Sequence, residues 1–480
     1  MSLPFLLSAS LALALPAPPP ASPGGAAGAN DFTAPRDAPG VMEATVSPRP
    51  DGRYAVALDF REEAPVWIFL RSNGPVTGEP SWRAGTWEVR TPGVTLTRIG
   101  LHEALVANDG GPVPGRVEIA VAPYTRNLNA DYQPAIRIGE NALALFSDHF
   151  LLRPAASVAA VEALGADWTV LPDYDAGHPL ARFEGEGFVV DGMPVEEVAV
   201  TEAAYVLHGD IASAGSGALV TYLDPRLPAW LGTELERDIP AIIRLYEAQW
   251  GPHDDGTLEL MVEWGGPTAG SVSLGGSVIG SQMVMRLEGQ ALLDQRGGAG
   301  AEMRMLIAHE AAHFWLGNLV AYGRPGEAWT SEGGADLAAL RAIEAVDPAG
   351  AARREGRMTR SAWRQCATYL ERGGLASAPE RGEQKAFYSC GFLLSRVAER
   401  VAERRGGTFF TFWAKLIERH REAGEVGSED WFEALAQEGA APATLAAMRT
   451  IVERGGGGAA ITDLYASAQM PPPDPVAAVA

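Results

Sequence analysis

Residues 305–318 read Met305-Leu-Ile-Ala-His309-Glu310-Ala-Ala-His313-Phe-Trp-Leu-Gly-Asn318. His309 and His313 stand four apart, and on a helix that spacing stacks both imidazoles on one face, as two ligands of one metal ion require. Glu310 lies between them, within reach of a water on that ion. The chain has only 8 histidines, and His-Glu-x-x-His arises by chance in roughly 1% of chains of this composition. A third ligand is expected on a second helix. Glu332 follows His313 after 18 intervening residues, in Trp329-Thr-Ser-Glu332-Gly-Gly-Ala-Asp336. Thr330 or Ser331 is suited to cap that helix and Glu332 to sit in its first turn. Asp336, one turn further, shares the face of Glu332 and is placed to accept a hydrogen bond from a ligand imidazole, fixing its tautomer. Two imidazoles and one carboxylate leave a fourth position for water, the pattern of a catalytic zinc rather than a closed structural one.

Outward from this segment the chain reads as α+β and multidomain. Thr233–Gln249 has helical periodicity through Leu235, Ile239, Ile242, Ile243 and Tyr246. Thr257–Trp264 reads as a strand, Gly265–Ser281 as a Gly/Ser-rich loop and Gln282–Leu287 as a second strand. Residues 301–345 read as two helices, and 355–453, dominated by Ala, Arg, Glu and Leu, as more helices. Upstream, short alternating runs (Arg53–Phe60, Val66–Arg71, Thr86–Arg90, Val94–Ile99, Arg116–Val121) are separated by turn residues and predict an antiparallel β domain. The expected organisation is an N-terminal β-rich domain over 41–215, a catalytic domain over 216–350, a helical segment over 351–465 that completes the site, and a flexible tail over 466–480. The Gly455–Gly458 run is also expected to be flexible.

Lys+Arg total 38 against Asp+Glu 60, a net charge of −22, which excludes a nucleic-acid partner because such binding needs a dense cationic face. At 47% hydrophobic residues the chain has ample material for a core. Residues 1–24, apolar and then Pro/Ala-rich, read as a signal peptide, and 25–40 as a disordered linker, so export to the periplasm or exterior is expected. No later apolar run is long enough for a transmembrane segment. Cys366 and Cys390 are the 2 cysteines; in an oxidising compartment they could pair, the alternative being two buried thiols.

The motif His309-Glu-Ala-Ala-His313 with Gly317-Asn318-Leu-Val, followed by Trp329-Thr-Ser-Glu332-Gly, resembles the gluzincin metallopeptidases, most closely the aminopeptidase N family. The resemblance covers residues 216–400 well and the N-terminal part in outline. It implies a thermolysin-like catalytic domain, one Zn²⁺ per chain and a peptide substrate. Glu310 would act as general base on a zinc-activated water. Ala386-Phe-Tyr388-Ser-Cys-Gly391 resembles the family's helical segment whose tyrosine stabilises the oxyanion, which makes Tyr388 the candidate. The chain departs from the family where a Gly-x-Met-Glu-Asn loop is expected. Leu274–Gly280 stands there, Val278 or a neighbour occupies the place of the amine-gripping glutamate, and Gly275 and Gly276 are left to admit a substrate backbone. Glu263 and Glu288 flank this stretch. Gln282–Leu287 is expected to be the edge strand on which a peptide pairs. An aminopeptidase with altered amine recognition thus competes with an endopeptidase. A different class, a binding protein on a retired peptidase fold, is favoured by the degraded loop and opposed by the intact His309, Glu310, His313, Glu332 and Tyr388.

Overall fold

The computed structural model describes residues 40–473 except 76–77, 80, 129–130, 165–178, 217–218, 254–255, 270–271, 295–298, 347 and 349–350. The expected signal peptide, nearly all of the expected linker and the last residues of the tail lie outside the described residues. The chain divides into two compact units, one holding 29–227 with 257–264, the other 228–256 with 265–480.

The first unit is built from β-strands β1 (Met42–Pro48), β2 (Tyr54–Phe60), β3 (Val66–Phe69), β4 (Trp87–Val89), β5 (Val94–Ile99), β6 (His102–Ala107), β7 (Arg116–Val121), β8 (Ala135–Ile138), β9 (Ala142–Phe146), β10 (Leu152–Ala155), β11 (Leu180–Val190), β12 (Met193–Val200), β13 (Tyr205–Gly209), β14 (Ala214–Ser216), β15 (Leu219–Leu223) and the part of β16 (Leu258–Gly266) up to Trp264. Two short helices, α1 (Arg83–Thr86) and α2 (Val158–Glu162), interrupt them. A nine-stranded sheet runs β4-β7-β2-β1-β11-β13-β9-β8, with β12 on β11, and a four-stranded sheet runs β10-β3-β6-β5. Alternation decides which side is core: in β2, Tyr54, Val56, Leu58 and Phe60 are buried and the residues between them are half-buried. These side chains share one cluster with Trp67, Phe69, Leu105 and Leu152 of the smaller sheet, so the two sheets close on a common core. The pairing is antiparallel as expected, except that β1 runs parallel to β11 and β15 to β16.

The second unit begins with α3 (Ala229–Trp250), whose buried stripe of Leu235, Ile239, Ile242, Ile243 and Tyr246 matches its sequence periodicity. A hairpin follows, β17 (Ser273–Ile279) against β18 (Gln282–Glu288), and then α4 (Ala299–Ala312), α5 (Trp329–Val346), α6 (Ala351–Leu370), α7 (Lys385–Glu403), α8 (Phe409–His420), α9 (Ser428–Gln437), α10 (Pro442–Glu453) and α11 (Gly457–Ser467). The Gly/Ser-rich stretch expected as a loop thus contains a strand. Its seven residues pair in register with β18, and this ladder supplies the order that its composition lacks. β17 ends its sheet, so the free edge is β17 and not Gln282–Leu287 as expected.

Helix α5 is buried on nearly every side, and its small residues Gly333, Gly334, Ala335, Ala338, Ala339 and Ala342 let α4 and α7 pack closely on it. A β-carbon at Gly333 would lie 2.0 Å from the Gly391 carbonyl carbon of α7, and one at Gly391 would lie 2.4 Å from the Trp329 carbonyl oxygen. The two helix backbones therefore touch. A Cys366–Cys390 disulfide ties α6 to α7. Arg341 of α5 adds a charged link, donating to both carboxylate oxygens of Glu399 at 2.6 Å. The Gly455–Gly458 run is not a flexible linker. Gly455 and Gly456 donate to the Thr450 and Leu370 carbonyls at 2.8 and 2.9 Å, and a β-carbon at Gly455 would meet the Leu370 carbonyl oxygen at 2.6 Å. Here glycine serves close approach, and the chain turns directly into α11.

Gly333→Ala is expected to lower unfolding stability by about 1–3 kcal/mol or more, because backbone rather than a movable side chain opposes the methyl. Gly232→Ala in α3, where nothing lies within 4 Å of the added carbon, is expected to raise stability by about 0.5–1 kcal/mol. Denaturant unfolding of both variants checks the pair.

Candidate metal centre

Helix α4 carries His309 and Glu310, and His313 follows its last residue in a tight turn whose amide donates to the Glu310 carbonyl at 3.0 Å. Tyr246 of α3 donates its hydroxyl to the Ala308 carbonyl at 2.8 Å, anchoring the helix one residue before His309. Helix α5 brings Glu332 in its first turn. Thr330 and Ser331 are not its caps: the helix starts earlier, at Trp329, and their hydroxyls donate back to the Glu327 and Ala328 carbonyls. His309, Glu310 and Glu332 are buried and His313 is half-buried.

Three atoms converge. His309 Nε2 and His313 Nε2 lie 3.1 Å apart, and Glu332 Oε2 lies 3.4 and 3.5 Å from them. His309 Nδ1 lies 2.9 Å from Asp336 Oδ1, and His313 Nδ1 lies 2.8 Å from the Leu316 carbonyl oxygen. A carboxylate and a carbonyl only accept, so both Nδ1 atoms carry the proton and both Nε2 atoms turn lone pairs toward the same point. Glu332 Oε2 is buried and no hydrogen bond satisfies it. Three electron-rich atoms facing one another call for a cation. Tetrahedral zinc with ligands at about 2.0–2.1 Å sets its ligand atoms about 3.3 Å apart, so this triangle fits it. His309, His313 and Glu332 are the one group of this kind among the described residues.

The electrostatics agree. Burial works against a charged His309, yet the carboxylates of Asp336 and Glu332 outweigh it and hold its pKa well above the usual range. His313 is raised in the same way, chiefly by Glu332 against burial. Burial also works against an ionised Glu332, but the two imidazoles hold it far below the usual carboxylate range. Glu310, beside the triangle, is raised by burial against the pull of the imidazoles. A carboxyl group with raised affinity for protons can accept one and return it. Tyr388, on α7, stacks its ring on His309 with centroids 5.6 Å apart. Its pKa is held well above the usual range by burial and by the charges of Glu332 and Glu310, and its hydroxyl bonds to the Glu332 carboxylate. It therefore stays protonated and serves as a donor.

Of the two glycines expected to meet substrate, Gly276 packs on Glu310: a β-carbon there would lie 2.8 Å from Glu310 Cγ. Gly275 points the other way, paired with Arg286. Glu288, once a possible amine grip, is held by Arg286 at 3.1 Å and by Thr268. Glu263 lies in β16, within the β unit. Sequence reasoning missed two further contacts. One is the Leu316 carbonyl, a main-chain atom that no side-chain pattern reveals. The other is the Asn318 side chain, which donates to the Gly280 carbonyl at 2.7 Å and fastens the end of the hairpin to the turn after His313.

Asp336→Asn keeps the shape but exchanges the acceptor that orients His309. Zinc affinity is expected to fall about 10–100-fold, whereas Glu332→Ala is expected to lose the metal outright. Competition titration against a chelator checks both.

No family model matches the sequence, and no curated protein matches it. Solved structures do match. An aminopeptidase N family protein from Idiomarina loihiensis aligns with a TM-score of 0.58, over 86% of this chain and 76% of its own, at 11% identity. An M1 zinc metallopeptidase mutant from Deinococcus radiodurans, bound to a Tyr-Ser-Ala substrate, aligns over 92% of this chain and 97% of its own, at 13% identity and a TM-score of 0.47. Native leukotriene A4 hydrolase from Saccharomyces cerevisiae aligns over 88% and 68%, at 14% identity and a TM-score of 0.47. Through the first of these, whose β-rich and helical parts follow the same order along the chain, the protein has the fold of the aminopeptidase N family.

Proposed function

We propose that the protein is a secreted zinc metallopeptidase that hydrolyses peptide bonds. The observation that carries this reading is the convergence of His309 Nε2, His313 Nε2 and Glu332 Oε2, with the proton-holding Glu310 beside them. His309, His313 and Glu332 would hold the ion. When bound, zinc supplies a Lewis acid that polarises the scissile carbonyl and acidifies water.

The remaining steps belong to the chain. Glu310 takes the proton of the attacking water and delivers it to the departing amine nitrogen. Its place against Gly276 fixes the carboxylate without a competing side chain. Tyr388 donates its hydroxyl hydrogen to the oxyanion that develops on the carbonyl. Asp336 keeps His309 in the tautomer that leaves Nε2 free. A peptide lies along the free edge of β17, where Gly275 and Gly276 let its backbone come close. The absence of a carboxylate at Val278 supports altered recognition of a substrate's amino end. Export is supported by the Cys366–Cys390 disulfide, a bond that persists in oxidising compartments.

Glu310→Gln is expected to retain zinc at full stoichiometry and to lose peptide hydrolysis by about 10²–10⁴-fold; normal turnover in that variant would overturn the mechanism. Tyr388→Phe is expected to lower kcat by about 10²–10³-fold with zinc in place. Both are read by metal analysis beside a peptide-hydrolysis assay. Fractionation of expressing cells should recover the mature protein outside the cytoplasm with no free thiol.

A further inference from the structure

The hairpin beside Glu310 has two chemically different faces. In a strand, side chains alternate, and directly opposed residues of an antiparallel pair share a face. The would-be β-carbon of Gly276 points at Glu310, which fixes the face that looks toward the reacting group. The registered pairs on that face are Leu274 with Leu287, Gly276 with Met285, and Val278 with Met283. None carries a charge or a hydrogen-bonding side chain. Met283, Met285 and Leu287 are buried, while Leu274 and Val278 are half-buried and flank Gly276 along the strand. Arg286 and Glu288 lie on the opposite face and pair with each other.

The flanking side chains stand roughly 6.6 Å apart from Gly276 on either side, the two-residue repeat of a strand. That is about the reach from a scissile carbonyl to the backbone nitrogen on its amino side. A bare ammonium held against Val278 or Leu274 would lose water and gain no partner on the hairpin, which is costly. Nor are the neighbouring carboxylates free for it, since Glu332 is committed to the imidazoles, Asp336 to His309 and Glu310 to the proton transfer. An amide nitrogen bears no charge and avoids that cost, and an acyl group extending beyond it gains apolar contact.

We infer that the residue on the amino side of the cleaved bond must be acylated at nitrogen, so that the enzyme acts on N-blocked or internal peptide bonds and rejects free amino ends. This rests on the metallopeptidase reading above and narrows it to a substrate class, with Leu274 and Val278 as its specificity-determining residues.

The test uses the zinc-loaded full chain, a random peptide library with free amino ends and the same library acetylated, with cleavage read by mass spectrometry. The expected result is cleavage of the acetylated library at least as fast as of the free one. Val278→Glu is expected to shift the ratio of kcat/KM toward free amines by about tenfold or more, the size of one charge-assisted contact. A tenfold or greater preference of the unaltered enzyme for free amines, or an unchanged ratio in a folded Val278→Glu variant, overturns the inference while leaving the peptidase reading intact. Failure to cleave either library overturns the peptidase reading itself. Independently of whether Val278→Glu folds, the Glu310→Gln variant should enrich acetylated over free peptides from an equal mixture; enrichment of free ones overturns the inference.

Discussion

Two lone pairs and a carboxylate oxygen held within 3.5 Å of one another, away from water, are the constraint on which the helical unit turns. Such a cluster repels itself, and a buried charge left without a partner costs several kcal/mol. The protein meets that cost with rigid helices around it. Tyr246 anchors α4 from behind, the Gly333–Gly391 contact presses α5 against α7, and Arg341 links α5 to Glu399. Sequence positions that look unremarkable alone thereby hold three donor atoms to the spacing of one small cation.

The same packing explains where Tyr388 sits. Gly391 lies just short of one helical turn after it, and Gly333 directly follows Glu332. Because the two glycines let the backbones touch, the phenol and the ligand carboxylate come within hydrogen-bonding distance. Cys390, joined to Cys366, fastens the same turn of α7 to α6 from its other side. Ligand, donor and cross-link therefore share one short stretch of helix.

Much of this was readable from the chain because helices encode geometry locally. The four-residue spacing of His309 and His313, and of Glu332 and Asp336, put each pair on one face before any tertiary contact was known. The strands β2, β5 and β7 were equally plain in their alternation. What escaped depended on partners distant in sequence. Leu274–Gly280 has the composition of a loop and becomes a strand through pairing with β18. The Gly455–Gly458 run looks like a linker and is a contact point beneath Leu370. The two cysteines could be paired or free on spacing alone, and the packing of α6 on α7 decides for the bond. Thr330 and Ser331 had the right chemistry to cap α5, yet the helix opens earlier because Trp329 is already buried within it.

The contact between Gly276 and Glu310 also limits chemistry from outside. With barely a hydrogen atom's width between strand and carboxylate, no small molecule can wedge into that gap. A designed inhibitor would have to engage Glu310 from elsewhere, and an added methyl at position 276 would act like a permanent one, pushing the carboxylate aside from within.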